Sequence, residues 1–278
     1  MKIFNWNCNR NFREDITYIL DKNSDFYVDA DIYVIQECEN PDEPHKNYVE
    51  YKKLVDDSFG EYHWIGKYHY MGLGVFAKEH VNLELKGKWE DEFKYFILLR
   101  VNDSFNLLCV WAMPEYVEMI HDFFDTNGDL FDENLIICGD FNSNVVFNDE
   151  HTYVYTHKDK EGYDKHHTNL DWKLNHLNDD EGEGKGLFSV YHELSGEDNG
   201  KETQFTFFQS RHLGEPFYLD YVYANKEIIK KTTLIKNGEK LNENLPNEFE
   251  ILDSKKWTDL SDHIPIVFKF DEKDFKRR

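Results

Sequence analysis

The 278-residue chain has little that would divide it, cross-link it or anchor it. Its 6 prolines are scattered, and no stretch rich in proline, glycine or serine separates one part from another, so a single domain spanning 1–278 is expected. Only 4 cysteines occur (Cys8, Cys38, Cys109 and Cys138), and none forms a Cys-x-x-Cys pair, which argues against structural zinc. Each lies in or beside an apolar run, so buried free thiols in a reducing compartment are the simplest account. No apolar run approaches the length of a membrane span, and Met1-Lys2-Ile3-Phe4-Asn5 meets polar residues too early for a secretory leader. A cytoplasmic protein without membrane contact is expected. Positive charge is also scarce: 32 Lys and Arg against 55 Asp and Glu leave a net charge of -23. That balance disfavours tight, sequence-blind binding to phosphate backbones, although a bound cation can restore positive charge locally. Internal repeats and low-complexity segments are lacking, and nothing marks an obligate protein partner. With 40% hydrophobic and 16% aromatic residues, the chain nevertheless has ample material for a core.

The most informative stretch is Leu135-Ile136-Ile137-Cys138-Gly139-Asp140-Phe141-Asn142. Four apolar residues predict a buried strand, and Gly139 predicts a backbone turn. In an extended chain, alternate side chains share a face, so Asp140 and Asn142 point one way and Phe141 points into the core. Strands are also expected at 2–8, 32–35, 63–66, 72–77, 206–208, 219–224 and in the run after Ser261. Residues 96–101 and 105–111 predict a hairpin turning at Asn102-Asp103-Ser104. Helices are expected from Asn11 to about residue 20, at 48–55, from Pro114 onward, and at 170–177. Residues 148–169 read as a His-rich loop, 178–186 as an acidic turn and 226–240 as a solvated basic cluster that could meet an anionic substrate. A strand, a helix and a second strand at the start indicate a parallel or mixed sheet.

Polar residues recur where these strands end: Asn7, Glu37, Asp140 with Asn142, Asp220, and Asp262 with His263. Together they supply hard oxygen ligands and a titratable imidazole, the residue types of a magnesium or manganese site that hydrolyses a phosphoester. On these residues the chain resembles the endonuclease/exonuclease/phosphatase family, which includes deoxyribonuclease-I-like and exonuclease-III-like enzymes. Phe4-Asn5-Trp6-Asn7, Ile35-Gln36-Glu37, Gly139-Asp140-Phe141-Asn142, Leu219-Asp220-Tyr221-Val222 and Ser261-Asp262-His263-Ile264-Pro265 match its motifs in order. The resemblance implies an α/β (α+β) fold, a four-layer α-β-β-α sandwich of two packed mixed β-sheets flanked by helices. It also implies roles. Glu37 would be the principal metal ligand, with Asn7 and Asp262 nearby. Asp140 would orient or deprotonate the attacking water, and Asn142 would hydrogen-bond that water or a phosphate oxygen. His263, held by Asp220, would donate to a non-bridging oxygen.

Two departures from the family pattern matter. Asn9 stands where many members carry an acid, and Trp111 stands where many nucleases carry a histidine three residues before Pro114. Trp111 could stack on a base or sugar, or belong to the core. Arg211 could clamp a phosphate. His69, His151, His166 and His167 are loop histidines that could replace the missing one. The expected function is divalent-metal-dependent phosphodiester hydrolysis by a nuclease acting on DNA or RNA. The alternative is a phosphatase or phosphodiesterase for a small molecule or lipid headgroup. A non-catalytic binding module is disfavoured by the intact Glu37, Asp140 and His263.

Overall fold

Short apolar runs bounded by polar residues become strands along most of the chain. The computed structural model describes residues 1–89, 95–112, 116–128, 134–147, 167–176, 186–214, 216–241 and 245–275. The first eight strands are β1 (Lys2–Asn7), β2 (Ile32–Cys38), β3 (Glu61–Tyr68), β4 (Met71–Ala77), β5 (Leu83–Trp89), β6 (Phe96–Val101), β7 (Phe105–Trp111) and β8 (Leu135–Asp140). Then come β9 (Leu187–Ser189), β10 (Phe207–Phe208), β11 (Pro216–Phe217), β12 (Asp220–Asn225), β13 (Thr232–Lys236), β14 (Glu239–Lys240), β15 (Asn247–Ile251) and β16 (Ile266–Lys269).

One sheet has the order β14-β13-β15-β16-β1-β2-β4-β3, the other β5-β6-β7-β8-β12-β9, and β10 with β11 forms a short ribbon. Both large sheets are mixed: β1 and β2 run parallel in the first, β7 and β8 in the second, among antiparallel neighbours. The sheets pack face to face, β1 and β2 on β8, and β4 on β7. Phe4, Trp6, Ile35, Val110 and Ile137 are among the apolar side chains fully removed from solvent.

The helices are α1 (Phe12–Leu20), α2 (Val49–Ser58), α3 (Tyr116–Asn127), α4 (His167–Asn175), α5 (Val190–Ser195), α6 (Lys226–Ile229) and α7 (Ser254–Trp257). Helix α1 buries Phe12, Ile16 and Ile19, spaced as one helical stripe, and packs on β2. Helix α4 packs on α3 and β9. The result is the expected sandwich of two mixed sheets flanked by helices. No helix among the described residues is long and apolar enough to cross a membrane.

Several local expectations are corrected. The cluster at 226–240 is not a plain solvated face: Thr232, Thr233 and Leu234 are buried within β13. Strand β5 pairs with β6 at a sheet edge, where its exposed Glu84, Leu85, Lys86 and Lys88 hide the strand pattern. His167 opens α4 rather than lying in a loop. Residues 148–166 of the expected loop, 178–185 of the acidic turn, and Pro114 lie outside the described residues.

The chain does not turn at Gly139, and β8 runs on through Asp140. The glycine is required for a different reason. A Cβ at this position would lie 1.9 Å from the Val110 carbonyl oxygen of the neighbouring strand. Gly139→Ala is therefore expected to push β8 off β7 and to cost about 3 kcal/mol or more of stability, the upper scale of core overpacking. Urea unfolding checks this; an unchanged midpoint would show that the two strands have slack.

Candidate active site

Strands β1, β2 and β8 end, and β12 begins, at one edge of the sandwich, so the polar residues found in sequence converge there. Gln36 pairs with Leu73 and Cys38 with Gly72, which makes Glu37 the extra residue of a β-bulge. Glu37 sits at φ 57, a left-handed conformation that costs a glutamate about 1–3 kcal/mol. The bulge takes the Glu37 side chain out of the ladder and toward β1. There Asn7 Nδ2 donates to Glu37 Oε1 at 3.2 Å and to Asp140 Oδ2 at 2.9 Å. One carboxamide thus ties a carboxylate of the first sheet to a carboxylate of the second.

Asp140 is fully buried. Its register partners are Trp111 on β7 and Asp220 on β12, so the three side chains share one face of the sheet. The Asn142 backbone N–H donates to Asp140 Oδ1 at 2.8 Å, and Asn142 Nδ2 donates to Oδ2 at 2.8 Å. Asn142 can curl back in this way because it adopts φ 46, which asparagine tolerates better than most residues. Phe141 points into the core, as alternation predicts, and packs on Tyr221 and Tyr223. Burial pushes the Asp140 carboxyl up, the nearby His263 opposes this, Asp220 adds to it, and the result is about 7. A carboxyl at that value can accept a proton near neutrality.

His263 Nδ1 lies 2.9 Å from Asp220 Oδ2. Burial alone would lower the imidazole pKa, but the carboxylates of Asp220 and Asp140 overcome it and raise it to about 10. The ring is therefore a cation at neutral pH, donating from Nδ1 to Asp220 and keeping Nε2 for another acceptor. Three residues to which the sequence analysis gave no role fix this pair. Thr206 Oγ1 accepts the backbone N–H groups of both Leu219 and Asp220, each at 2.9 Å. Trp6 Nε1 donates to the His263 carbonyl at 3.1 Å. Ser261 Oγ donates to the Asn7 carbonyl at 2.7 Å and accepts from the His263 N–H at 3.1 Å. Ser261 was within the matched motif. Thr206 had no sequence signal, because its role depends on a neighbouring strand.

Two groups could be considered for a cation. Ligand atoms of Asp140, Asp220 and His263 lie within 4.8 Å of one another. In this cluster His263 Nδ1 is engaged with Asp220 Oδ2, which leaves Nε2 and the remaining carboxylate oxygens as its open donors. Glu37 and Asp262 provide hard oxygens of the kind that bind Mg2+ or Mn2+, which commonly take one or two carboxylates and keep several waters. Asp262 is linked to Asn7 through Ser261, whose hydroxyl also lies 3.4 Å from Asp262 Oδ1. The donor set therefore fits a hard divalent cation. Asn7 Oδ1 accepts the Asn9 N–H at 3.0 Å while its Nδ2 bridges the two carboxylates, so the side chain acts here as a strut between them.

The remaining expectations are corrected in part. Trp111 is fully buried and packs on Tyr95 at 4.5 Å between ring centroids, so it belongs to the core and offers no platform to substrate. Arg211 donates to the carbonyls of Asp259 (3.1 Å) and Leu260 (2.9 Å), bracing the segment that leads into Asp262 and His263. His167 is buried with Nδ1 2.9 Å from Ser143 Oγ, a support for the loop after Asn142. His69 lies exposed in the β3–β4 turn. His151 and His166 lie outside the described residues. Arg10, not singled out in sequence, places Nε 3.4 Å from Glu37 Oε2.

Comparison with known proteins gives one family and many similar folds. The family model described as "Endonuclease/Exonuclease/phosphatase family" matches residues 4–263. No curated protein matches the sequence significantly. Among solved structures, an AP endonuclease from Archaeoglobus fulgidus aligns with TM-score 0.62 and 13% identity, covering 98% of this chain and 99% of that one. The 3'-5' exonuclease NExo from Neisseria meningitidis aligns with TM-score 0.60 and 17% identity, covering 98% and 100%. A humanized D. rerio TDP2 aligns with TM-score 0.54 and 13% identity, covering 98% of each chain. At these identities the likeness establishes a shared fold.

The histidine–aspartate pair has a measurable signature. Because the folded pKa of His263 lies above its ordinary value of 6.5, the pair contributes stability that is fully present below 6.5 and is lost as pH rises through about 10. Nitrogen NMR of the His263 ring in the metal-free protein should show it still protonated at pH 8, and Asp220→Asn should lower its titration markedly. A native His263 that titrates near 6.5 would contradict the assigned pairing.

Proposed function

The chain belongs to the endonuclease/exonuclease/phosphatase family, and from that membership we propose that it hydrolyses phosphodiesters with a divalent cation, its substrate being a nucleic acid. The observation that carries this is the convergence on Asn7. Its carboxamide joins Glu37 to Asp140, and its carbonyl holds Ser261 beside Asp262 and His263.

Each residue has a part in an in-line displacement. Asp140, poised near 7, takes the proton of a water placed against the phosphorus. Asn142 and Asn7 hold that carboxylate in one orientation by donating to its oxygens, so little reorganisation accompanies attack. His263, cationic and fixed by Asp220, donates from Nε2 to a non-bridging oxygen as negative charge accumulates. Glu37 and Asp262 would hold Mg2+ or Mn2+, which neutralises phosphate charge and stabilises the leaving oxygen.

The net charge of -23 does not oppose a nucleic-acid substrate, because a turnover enzyme gains nothing from tight product binding. Support for that substrate comes from the exonuclease and AP endonuclease that share the fold. The four cysteines, all unpaired and buried, fit a reducing, cytoplasmic setting.

Hydrolysis should be measured with magnesium or manganese on single- and double-stranded DNA, abasic DNA, RNA, inositol phosphates and a generic phosphodiester. Asp140→Asn and Glu37→Gln should each lose at least ~100-fold in rate on whichever substrate is turned over. An unchanged rate in either variant would remove that residue from the mechanism. Turnover confined to inositol phosphates would overturn the nucleic-acid assignment.

A further inference from the structure

The β3–β4 turn carries aromatic rings that the catalytic account leaves unused. Tyr68 and Tyr70 are 45% and 43% exposed, yet they stack on each other with ring centroids 5.5 Å apart and planes within 13°. They belong to a continuous row. Arg13 lies over Tyr48 at 5.1 Å, Tyr48 meets His69 edge-on at 5.8 Å, and His69 meets Tyr70 edge-on at 5.5 Å. At the far end, Lys67 Nζ lies 5.6 Å from the Tyr68 ring centre. The row thus runs through four rings, with a cationic side chain at each end.

The strip is attached to the reaction centre from both sheets. On the first sheet, the Asn40 N–H donates to the His69 carbonyl at 2.7 Å, and Gly72 pairs with Cys38, the residue after the Glu37 bulge. On the second, β3 packs on β6, and just ahead of β6 the Tyr95 ring packs on Trp111, the register partner of Asp140. A chain whose phosphodiester lies at Asp140 and Glu37 would have its neighbouring nucleotides at this turn.

We infer that Tyr68 and Tyr70 form a base-stacking platform that makes an unpaired nucleic-acid strand the preferred substrate; this rests on the nucleic-acid reading above. Three features select that occupant. Exposed flat rings offer π-faces to bases, and such stacking tolerates any sequence. Lys67 supplies positive charge beside the rings, where the strand's phosphates would run, whereas Arg13 is ion-paired with Glu14 and Glu39 and anchors the other end of the row. A duplex keeps its bases stacked inside, where exposed rings on a protein surface cannot reach their faces, whereas an unpaired strand presents them.

The test uses the full chain carrying Asp140→Asn, so that bound substrate persists. Fluorescence anisotropy would compare a labelled single strand of about ten nucleotides, within the range one such surface accommodates, with the duplex of the same sequence. The single strand should bind more tightly. Adding Tyr68→Ala and Tyr70→Ala together should weaken single-strand binding by roughly 10- to 100-fold, the scale of losing one or two stacked bases. Tyr68→Phe with Tyr70→Phe should retain it, since the ring and not the hydroxyl is the contact. Because the turn is exposed, the thermal midpoint of the alanine pair should stay with that of the parent, separating lost stacking from lost structure. In the otherwise native chain the alanine pair should raise KM for the oligonucleotide more than it lowers kcat. A duplex bound as tightly as the single strand, or an alanine pair that binds like the parent, would overturn the platform while leaving nucleic-acid hydrolysis intact. A native chain that cleaves a small phosphodiester but neither binds nor cleaves any oligonucleotide would instead overturn the nucleic-acid reading, and the platform with it.

Discussion

One side-chain amide governs the geometry of this protein. Asn7 ends a central strand of the larger sheet, and its two N–H bonds reach Glu37 on the neighbouring strand and Asp140 on the facing sheet. A hydrogen bond to a charged acceptor is among the stronger ones, and although Asn142 and Arg10 also hold Asp140 and Glu37, only Asn7 among these bonds both at once. The relative position of the two carboxylates is thus set by a neutral side chain between them. The Asn7 backbone extends the same control to the end of the chain, since its carbonyl receives the Ser261 hydroxyl.

Around this strut the backbone is held in unfavourable conformations. Glu37 occupies a bulge at φ 57 and Asn142 a turn at φ 46, while Asn9 and Arg10 follow Asn7 at φ 50 and φ 64. Each of these has an ordinary low-energy alternative, and none of the four is glycine. Glu37 persists there because the ladder on either side fixes the chain, with Gln36 paired to Leu73 and Cys38 to Gly72. The sheets supply the constraint, and the strand ends carry the strained residues. The charge arrangement follows the same logic. Asp140 and Asp220 are direct cross-strand neighbours, an unfavourable pair on its own, and the His263 cation lies where it offsets both.

Much of this was legible in the residues, for physical reasons. Asp140 and Asn142 share a face because extended chain alternates, and Phe141 goes inward for the same reason. The order of the motifs indicated which strand ends meet. What sequence could not supply was decided by partners distant in the chain. Trp111 is core because β8 and Tyr95 close over it, and nothing adjacent in sequence says so. Arg211 braces carbonyls nearly fifty residues away. The Glu37 bulge is a property of the pairing between β2 and β4, not of Gln36-Glu37-Cys38 alone. Thr232 to Ile235 is good strand sequence, but the lysines on either side obscured it. Gly139 was rightly singled out, although what it provides is room for the Val110 carbonyl and not a turn.

The claim that Asn7 couples the two carboxylates is tested most directly by a double-mutant cycle on turnover of a generic phosphodiester. Asn7→Ala, Asp140→Asn and the combined variant would be compared with the native chain at saturating divalent cation. If Asn7 acts through Asp140, the combined variant should be little worse than Asp140→Asn alone, a coupling of about 1 kcal/mol or more. Losses that simply add would contradict the account and make Asn7 an independent contributor.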